Sequence, residues 1–570
     1  MKKMRVAAVQ FGTATDVTEN LQTCLRMIDR AASENIHLVV LPEFSNHCAF
    51  YFSQDYANSV ALDLDGEFLK AISDKAKEHS IYVKINVTLK KPNDKPTVSN
   101  LLYSPEGKLI ARADKQVLMG NENNFCSRAE CVGDIAETPF GTIGMYACAD
   151  GLLMETTRLL AVSGAQLLLN SLNSFAEDEA SLHIPVRAAE NKVFVVAACK
   201  VDYLIPIELL EPFAAKMKLK SEDLQGAGES QIVAPDGSIL AKAPKKGEAV
   251  VFADIDLTEA DNKLRPDGTD ILQSRRPELY KIIAEKPSER NYKAGAKAVT
   301  VAVCQTIEAI EKTEAKLIVL PELFCLESSL QAAFLNQRHA EAWTLNLENT
   351  VETSKQIIEN IKNAIGGGEK FVVTSIIEKT ENGFAHIGVL IGKEGVIFRQ
   401  KQLHKSNRHG WTTDFGDELR TFDLPFGKLA MIIGDDSIYP ESFRLAALQN
   451  AEIVACPMQI QERWETEFGL LERAAENRLS IIAASRPVES LGEFGNSLIL
   501  TVGEDFTLWA EWKNRPFDGK INYPIITRAK SDDGVLSAEI FPANAENRFV
   551  SQQTDVVNGR NWRLLEKLVS

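Results

Sequence analysis

The chain is built from one module written twice, and this repeat limits what the 570 residues can fold into. The first copy reads LVVLPEF with Glu43, then ADKQVL with Lys115, then GMYACADGLLMETTR with Cys148. The second reads LIVLPEL with Glu322, then RQKQLH with Lys401, then AMIIGDDSIYPESFR. Lys115 to Lys401 is an offset of 286, Arg187 to Arg473 is also 286, and RAAEN occurs at 187–191 and 473–477. At the same offset Cys148 meets Gly434, so the second copy has no side chain where the first has a thiol. A repeat of this length predicts two domains of similar size. Residues 1–285 form the first and 298–570 the second, joined by a linker at 286–297, where apolar periodicity lapses.

Within each copy, helical and strand patterns alternate. Leu21, Leu25, Ile28 and Ala32 fall at helical spacing after an opening strand over Arg5–Phe11. HLVVLPEF is a short apolar run of the kind expected for a strand buried on both faces. IYVKINVTL alternates, and NLLYSPEGKLIARADK reads as two strands around a PEG turn. The pattern predicts a mixed α/β module with helices covering the sheets. In copy two only 17 residues separate Gln305 from Glu322, against 33 from Gln10 to Glu43, so its first helix must be much shorter. Lys200–Gly228 has no counterpart in copy two. It reads either as a lid or rim over the first site or as an inert surface insertion.

The net charge of −16 argues against a nucleic-acid partner. No apolar stretch is long enough to span a membrane, and the apolar run after Met1 ends at Gln10, too soon for a signal peptide. Nine cysteines without CxxC spacing fit reduced thiols in a cytoplasmic protein better than disulfides or a zinc site.

Cys148 lies between an apolar strand and a helical pattern. A residue on such a turn projects its side chain outward, and helix amides near it lower a thiol pKa and hold an oxyanion. Glu43 can take the thiol proton, Lys115 can neutralise a developing oxyanion, and Glu122 can orient substrate. Taken singly, each is an ordinary residue: a buried cysteine, a surface glutamate, a paired lysine. Their order and their echo in copy two make them a set. RAAEN is read as structural, a helix end pinned by its Arg and Glu.

These residues resemble the carbon–nitrogen hydrolase (nitrilase) superfamily over essentially the whole chain. The glutamate in LPE matches Glu43, the lysine of a K-x-x-L segment matches Lys115, and C-x-D followed by Glu matches Cys148, Asp150 and Glu155. A second active-site glutamate falls on Glu122. The resemblance implies two tandem αββα sandwich domains forming an intrachain pseudo-dimer, with further homo-oligomers open. It implies no cofactor, no metal, and a thioester acyl-enzyme on a small amide, resolved by water. The amide of Ala149 would join Lys115 in the oxyanion hole. Ala149–Asp150, where nitrile hydrolysers carry Trp–Glu, favours amides over nitriles, and Val117 stands where a histidine is frequent. In copy two, Gly434 replaces the nucleophile and Arg408 falls at the Glu122 position, so that half reads as a pseudo-enzyme. N-carbamoyl-amide hydrolysis, acyl transfer, or ligand binding without catalysis are the alternatives.

Overall fold

A computed structural model describes residues 3–290, 292–326, 346–503, 517–530 and 533–570. It contains four six-stranded sheets, two for each copy. In copy one the strands are β1 (Met4–Gln10), β2 (Leu38–Val40), β3 (Tyr82–Leu89), β4 (Thr97–Tyr103), β5 (Leu109–Asp114) and β6 (Ala136–Thr138). Then come β7 (Gly141–Ala147), β8 (Leu167–Leu172), β9 (Phe194–Cys199), β10 (Gln231–Val233), β11 (Ile239–Lys242) and β12 (Ala249–Ile255). One sheet runs β12-β1-β2-β3-β4-β5 and the other β11-β10-β9-β8-β7-β6.

Copy two repeats this with β13 (Val299–Cys304), β14 (Leu317–Val319), β15 (Phe371–Thr380), β16 (Gly383–Gly392), β17 (Gly395–Lys401) and β18 (Thr421–Leu424). Its set ends with β19 (Gly427–Met431), β20 (Ile453–Pro457), β21 (Ser480–Ala484), β22 (Leu498–Thr501), β23 (Ile525–Arg528) and β24 (Val535–Ile540). The orders β24-β13-β14-β15-β16-β17 and β23-β22-β21-β20-β19-β18 match those of copy one strand for strand.

Strand periodicity explains the layers. In copy one Val6, Ala8, Leu38 and Val40 face Met145, Leu167, Leu169 and Val196 of the other sheet, and this is the sandwich core. Their neighbours Ala7, Val9 and Val39 point the other way, onto Met27, Ile28, Leu69 and Ile72 of two helices. Leu168, Val195 and Ala197 likewise meet Leu160, Ala161, Ile184 and Ala188. Each central strand is therefore buried on both faces, which is why LVVL reads as an unbroken apolar run. The arrangement is αββα.

The helix Val17–Ala32 starts where Asp16 accepts hydrogen bonds from the amides of Thr18 and Glu19. Its buried residues are Asn20, Cys24, Met27, Ile28 and Ala31, so the inward stripe is turned by one position from the one Leu21 and Leu25 suggested. In copy two the first helix shrinks to Glu308–Lys312, as the short spacing required. RAAEN pins its helix in both copies, with Arg187–Glu190 at 2.8 Å and Arg473–Glu476 at 2.9 Å.

The chain forms two compact units whose segments interleave. The first comprises Met1–Asn262, Asp505–Asn522 and Phe549–Leu568; the second comprises Lys263–Glu504, Tyr523–Arg548 and Val569–Ser570. These units do not follow the linear division at 286–297. Among the described residues no helix is long and apolar enough to cross a membrane. All nine cysteines are free, eight of them buried.

Candidate active site

In the first unit the ends of β2 and β5 bring Glu43 and Lys115 together. Lys115 Nζ donates to Glu43 Oε1 at 2.7 Å and to both Glu122 oxygens at 2.9 and 2.8 Å. Glu43 and Lys115 have no solvent exposure. Glu122 opens a short helical turn, Glu122–Phe125, and Met119 N donates to its Oε2. Burial alone would lower the Lys115 pKa, but Glu122 and Glu43 outweigh it and hold it well above the ordinary value. Burial also pushes the Glu122 carboxyl up to about 7, against the pull of Lys115. Glu43 Oε2 has no hydrogen-bond partner among the described residues.

Cys148 follows β7 directly. Its φ of +48° is left-handed, and the residue after Glu43, Phe44, is also left-handed at +50°. Such conformations cost energy in residues with a Cβ and concentrate at functional turns. Asn170 Oδ1 accepts from Cys148 N at 3.0 Å. Asp150 locks the turn: it accepts from Ala147 N and, with its other oxygen, from Gln116 N and Val117 N. One carboxylate thus ties the cysteine turn to the loop that follows Lys115.

The structure corrects the expected thiol chemistry. Cys148–Gly151 is a 3₁₀ turn and the α-helix starts only at Met154, so no α-helix N-terminus meets the sulfur. Burial pushes the thiol well above its ordinary pKa, and the nearby Glu43 adds to this against Lys115.

Cys148, Ala149 and Glu122 line one pocket. Leu204, Ile205, Phe213 and Leu224 form part of its wall, so Lys200–Gly228 is a rim over the site and not an inert insertion. Two segments from the far end of the chain complete the surroundings. Ile521 lines the pocket, and the amides of Ile521 and Asn522 donate to Asp178 Oδ2 at 3.0 and 2.7 Å. Gly120 N, in the loop that carries Glu122, donates to Ser551 Oγ at 2.9 Å and Thr554 Oγ1 at 3.0 Å. Sequence reasoning missed these residues because nothing local to Glu122 points to positions so far along the chain. Asp150 was legible as a repeated position, since Asp436 makes the same pair of bonds to Leu403 N and His404 N.

Those matching bonds fix the equivalent positions in the second unit. Lys115 N donates to Val98 O, and Gln402 N donates to His386 O. Gln116 and Val117 correspond to Leu403 and His404, so Lys115 corresponds to Gln402. The match of Lys115 to Lys401 is therefore one residue out of register. Lys401 pairs with Asp414 at 2.7 Å, its side chain 37% exposed, whereas Gln402 is fully buried and bonds His386 Nδ1 at 2.7 Å. Glu122 corresponds to His409, not Arg408: Glu122 N bonds Met119 O and His409 N bonds Ser406 O.

Gly434 keeps the left-handed turn at φ +55°. A Cβ there would clash with a Glu322 oxygen and lie 3.1 Å from the rings of His386 and His409. Glu322 is held by Arg408 at 2.9 Å and by His409 at 2.9 Å. Arg408 and His409 hold its carboxyl down at about 2 in spite of burial. Arg265 adds bonds to Asp435 at 2.7 Å and Glu465 at 2.6 Å.

The family model described as carbon–nitrogen hydrolase matches residues 5–262 and again 288–500. The chain belongs to the carbon–nitrogen hydrolase family. It is 26% identical over 279 residues to a nitrilase of Pyrococcus abyssi, covering 49% of this chain and 99% of that protein. It is 27% identical over 299 residues to an omega-amidase of Xenopus tropicalis, covering 50% and 100%. Among solved structures, an amidase from Nesterenkonia sp. AN1 bearing an acetamide moiety on its active-site cysteine has a TM-score of 0.40. It is 18% identical and covers 49% of this chain and 96% of its own.

In this member of the carbon–nitrogen hydrolase family, two groups among the described residues have metal-like spacing: Glu322, His386 and His409, and Asp29, Glu78 and His79. In the first, Glu322 already carries Arg408, and both His386 nitrogens are engaged, with Gln402 at 2.7 Å and Ser375 at 2.8 Å. In the second, Lys75 bonds Asp29 at 2.7 Å and Glu78 at 2.9 Å. Both are ion-pair networks whose donors are already in use.

Proposed function

We propose that the first unit hydrolyses the C–N bond of a small amide through a thioester on Cys148. The observation that carries this reading is the chain from buried Glu43 and Lys115 to half-buried Glu122 next to a cysteine on a strained turn, with Cys148 and Glu122 on one pocket. Because burial disfavours the Cys148 thiolate, its proton leaves as the sulfur attacks the carbonyl carbon. Glu43 Oε2, which has no other hydrogen-bond partner among the described residues, is the acceptor. Lys115 and the amide of Ala149 stabilise the oxyanion. The tetrahedral intermediate collapses, the C–N bond breaks, and Glu43 returns the proton to the departing nitrogen. Water, deprotonated by Glu43, then cleaves the thioester to give the acid and the free thiol. Glu122 orients Lys115.

The second unit, with Gly434 and the ion pairs around Glu322, is proposed to catalyse no turnover. The test is ammonia release over a panel of amides and N-carbamoyl compounds. Cys148→Ala should abolish it in a folded protein. Lys115→Met should lose ~10²–10³ in rate, as for a lost oxyanion donor, and Glu43→Gln ~10²–10⁴, as for a lost general base. Intact-mass detection of an acyl adduct on wild-type protein, absent from Cys148→Ala, identifies the nucleophile. Near-normal turnover by Cys148→Ala would sink the cysteine mechanism.

A further inference from the structure

The segment that copy two lacks builds one wall of the first unit's pocket, and that wall is apolar. It turns through a short helix, Leu210–Met217, and packs Ile205, Leu210, Ala214 and Leu224 into a cluster of its own. Phe50 and Phe213 pack against this cluster but stay partly exposed, and both line the pocket. Their ring centroids are 5.9 Å apart. A second aromatic pair uses the late segment of the chain: Phe175, on the lining, meets Phe517 with centroids 5.5 Å apart. The charged groups on the lining are engaged within the protein. Glu122 pairs with Lys115 at 2.8 Å, Asp178 stands against His183 and takes the amides of Ile521 and Asn522, and Glu179 is not free either. What they leave for a ligand's chain is apolar surface, and such surface is what holds a ligand's carbon skeleton.

The solvent-facing side of the same segments supplies a second observation. Ile207 at 73% and Phe52 at 59% are the two most exposed large apolar side chains among the described residues. Each lies two residues from a side chain that lines the pocket, Ile205 and Phe50. The Phe52 ring also touches Phe50, with centroids 5.3 Å apart. The apolar lining therefore continues out of the pocket onto the surface. Exposed apolar groups that extend a pocket add to the area it offers a ligand.

We propose that the site takes primary amides with a long apolar acyl chain, which runs from Cys148 along Phe50 and Phe213 and out over Phe52 and Ile207. This rests on the hydrolase reading above and names its substrate class.

The test measures kcat/KM for butanamide, hexanamide and octanamide. It should rise at each step and gain ~10-fold or more from first to last, since each methylene fully removed from water is worth ~4-fold. Phe52→Ser combined with Ile207→Ser should cut the octanamide-to-butanamide ratio several-fold, and Phe52→Leu with Ile207→Leu should keep it. Calorimetry on the full-length Cys148→Ala protein reads the pocket without turnover: octanamide should bind ~10-fold or more tighter than butanamide. A flat or falling kcat/KM from butanamide to octanamide overturns the inference, and so does equal or absent binding of the two. A double Ser variant that keeps the ratio but halves the mass in sedimentation overturns it as well, because a second copy of the chain then covers these side chains. Preferential binding of octanamide by a protein that hydrolyses no amide would leave the inference standing and remove the hydrolase reading instead.

Discussion

One ammonium serves two carboxylates at the first site, buried Glu43 and half-buried Glu122, and this fixes how the site responds to pH. Glu122, pushed up to about 7 by burial, holds a proton in the folded chain at pH values where the unfolded chain has lost it. Between about 4.5 and 7 the folded state therefore binds more protons, and this group's contribution to stability declines as pH rises through that window. The urea midpoint of the wild-type protein should carry that decline, and Glu122→Gln should flatten it. An unchanged slope in the variant would place the titration elsewhere. Gly434 gives the complementary case. Glycine holds its left-handed turn without strain, but the space a Cβ would need is filled by Glu322 and two imidazoles. Gly434→Cys should destabilise by about 1–3 kcal/mol, as overpacking does. In a Cys148→Ala background it should restore no turnover, since Gln402 offers no ammonium and Glu322 is held by Arg408 and His409. Differential scanning calorimetry and ammonia release check the two halves of that statement.

At the scale of elements, the strand ends decide which side chains reach a site. Copy two is one residue shorter than copy one between the end of β17 and the turn at Gly434, so an offset correct for Cys148 and RAAEN fails at the lysine. A one-residue slip in a strand sends a side chain to the opposite face. Lys401 consequently leaves the core and Gln402 enters it. Lys401→Ala should change stability by less than ~1 kcal/mol, the range of an exposed ion pair. Gln402→Ala should cost ~1–3 kcal/mol by leaving His386 Nδ1 unpaired. Equal effects in chemical denaturation would contradict this register. The strands, the PEG hairpin and the RAAEN helix were legible because their signals are local: alternation, turn residues, a repeated motif. The inward stripe of Val17–Ala32 was not, since Leu21 and Asn20 differ in polarity but it is Asn20 that bonds Ala14 and Asn46 inside. Nor was the raised thiol pKa, because the expectation of a depressed one presumed a helix start at Cys148, six residues ahead of the real one at Met154.

At the scale of the molecule, the repeat is legible in sequence but the units are not, because their boundaries depend on where late segments pack. Residues 517–522 and 549–568 belong with the first unit, although they lie in the second copy. They are not incidental to the site. Ser551 and Thr554, both fully buried, hold the amide of Gly120 and with it the loop of Glu122. Arg128 Nη1 donates to Gly559 O at 2.9 Å, and Asn561 Nδ2 donates to Ala129 O at 2.9 Å. A fragment of residues 1–290 keeps every candidate catalytic side chain yet loses these anchors and the pocket wall at Ile521. It also retains residues 263–290, whose bonds are to the second unit: Arg275 to Glu441 at 2.8 Å and Arg276 to Leu403 O at 2.8 Å. Such a fragment should be poorly soluble and show less than a few per cent of the full chain's kcat/KM, since each buried partner lost costs ~1–3 kcal/mol. Thr554→Val in the full chain separates the causes: it removes one anchor while keeping the chain whole, and should lower kcat/KM with only a modest fall in the melting temperature. A soluble 1–290 fragment as active as the intact chain would mean that the Glu122 loop holds its place without the distant segments, and the active unit would then lie wholly in the first copy.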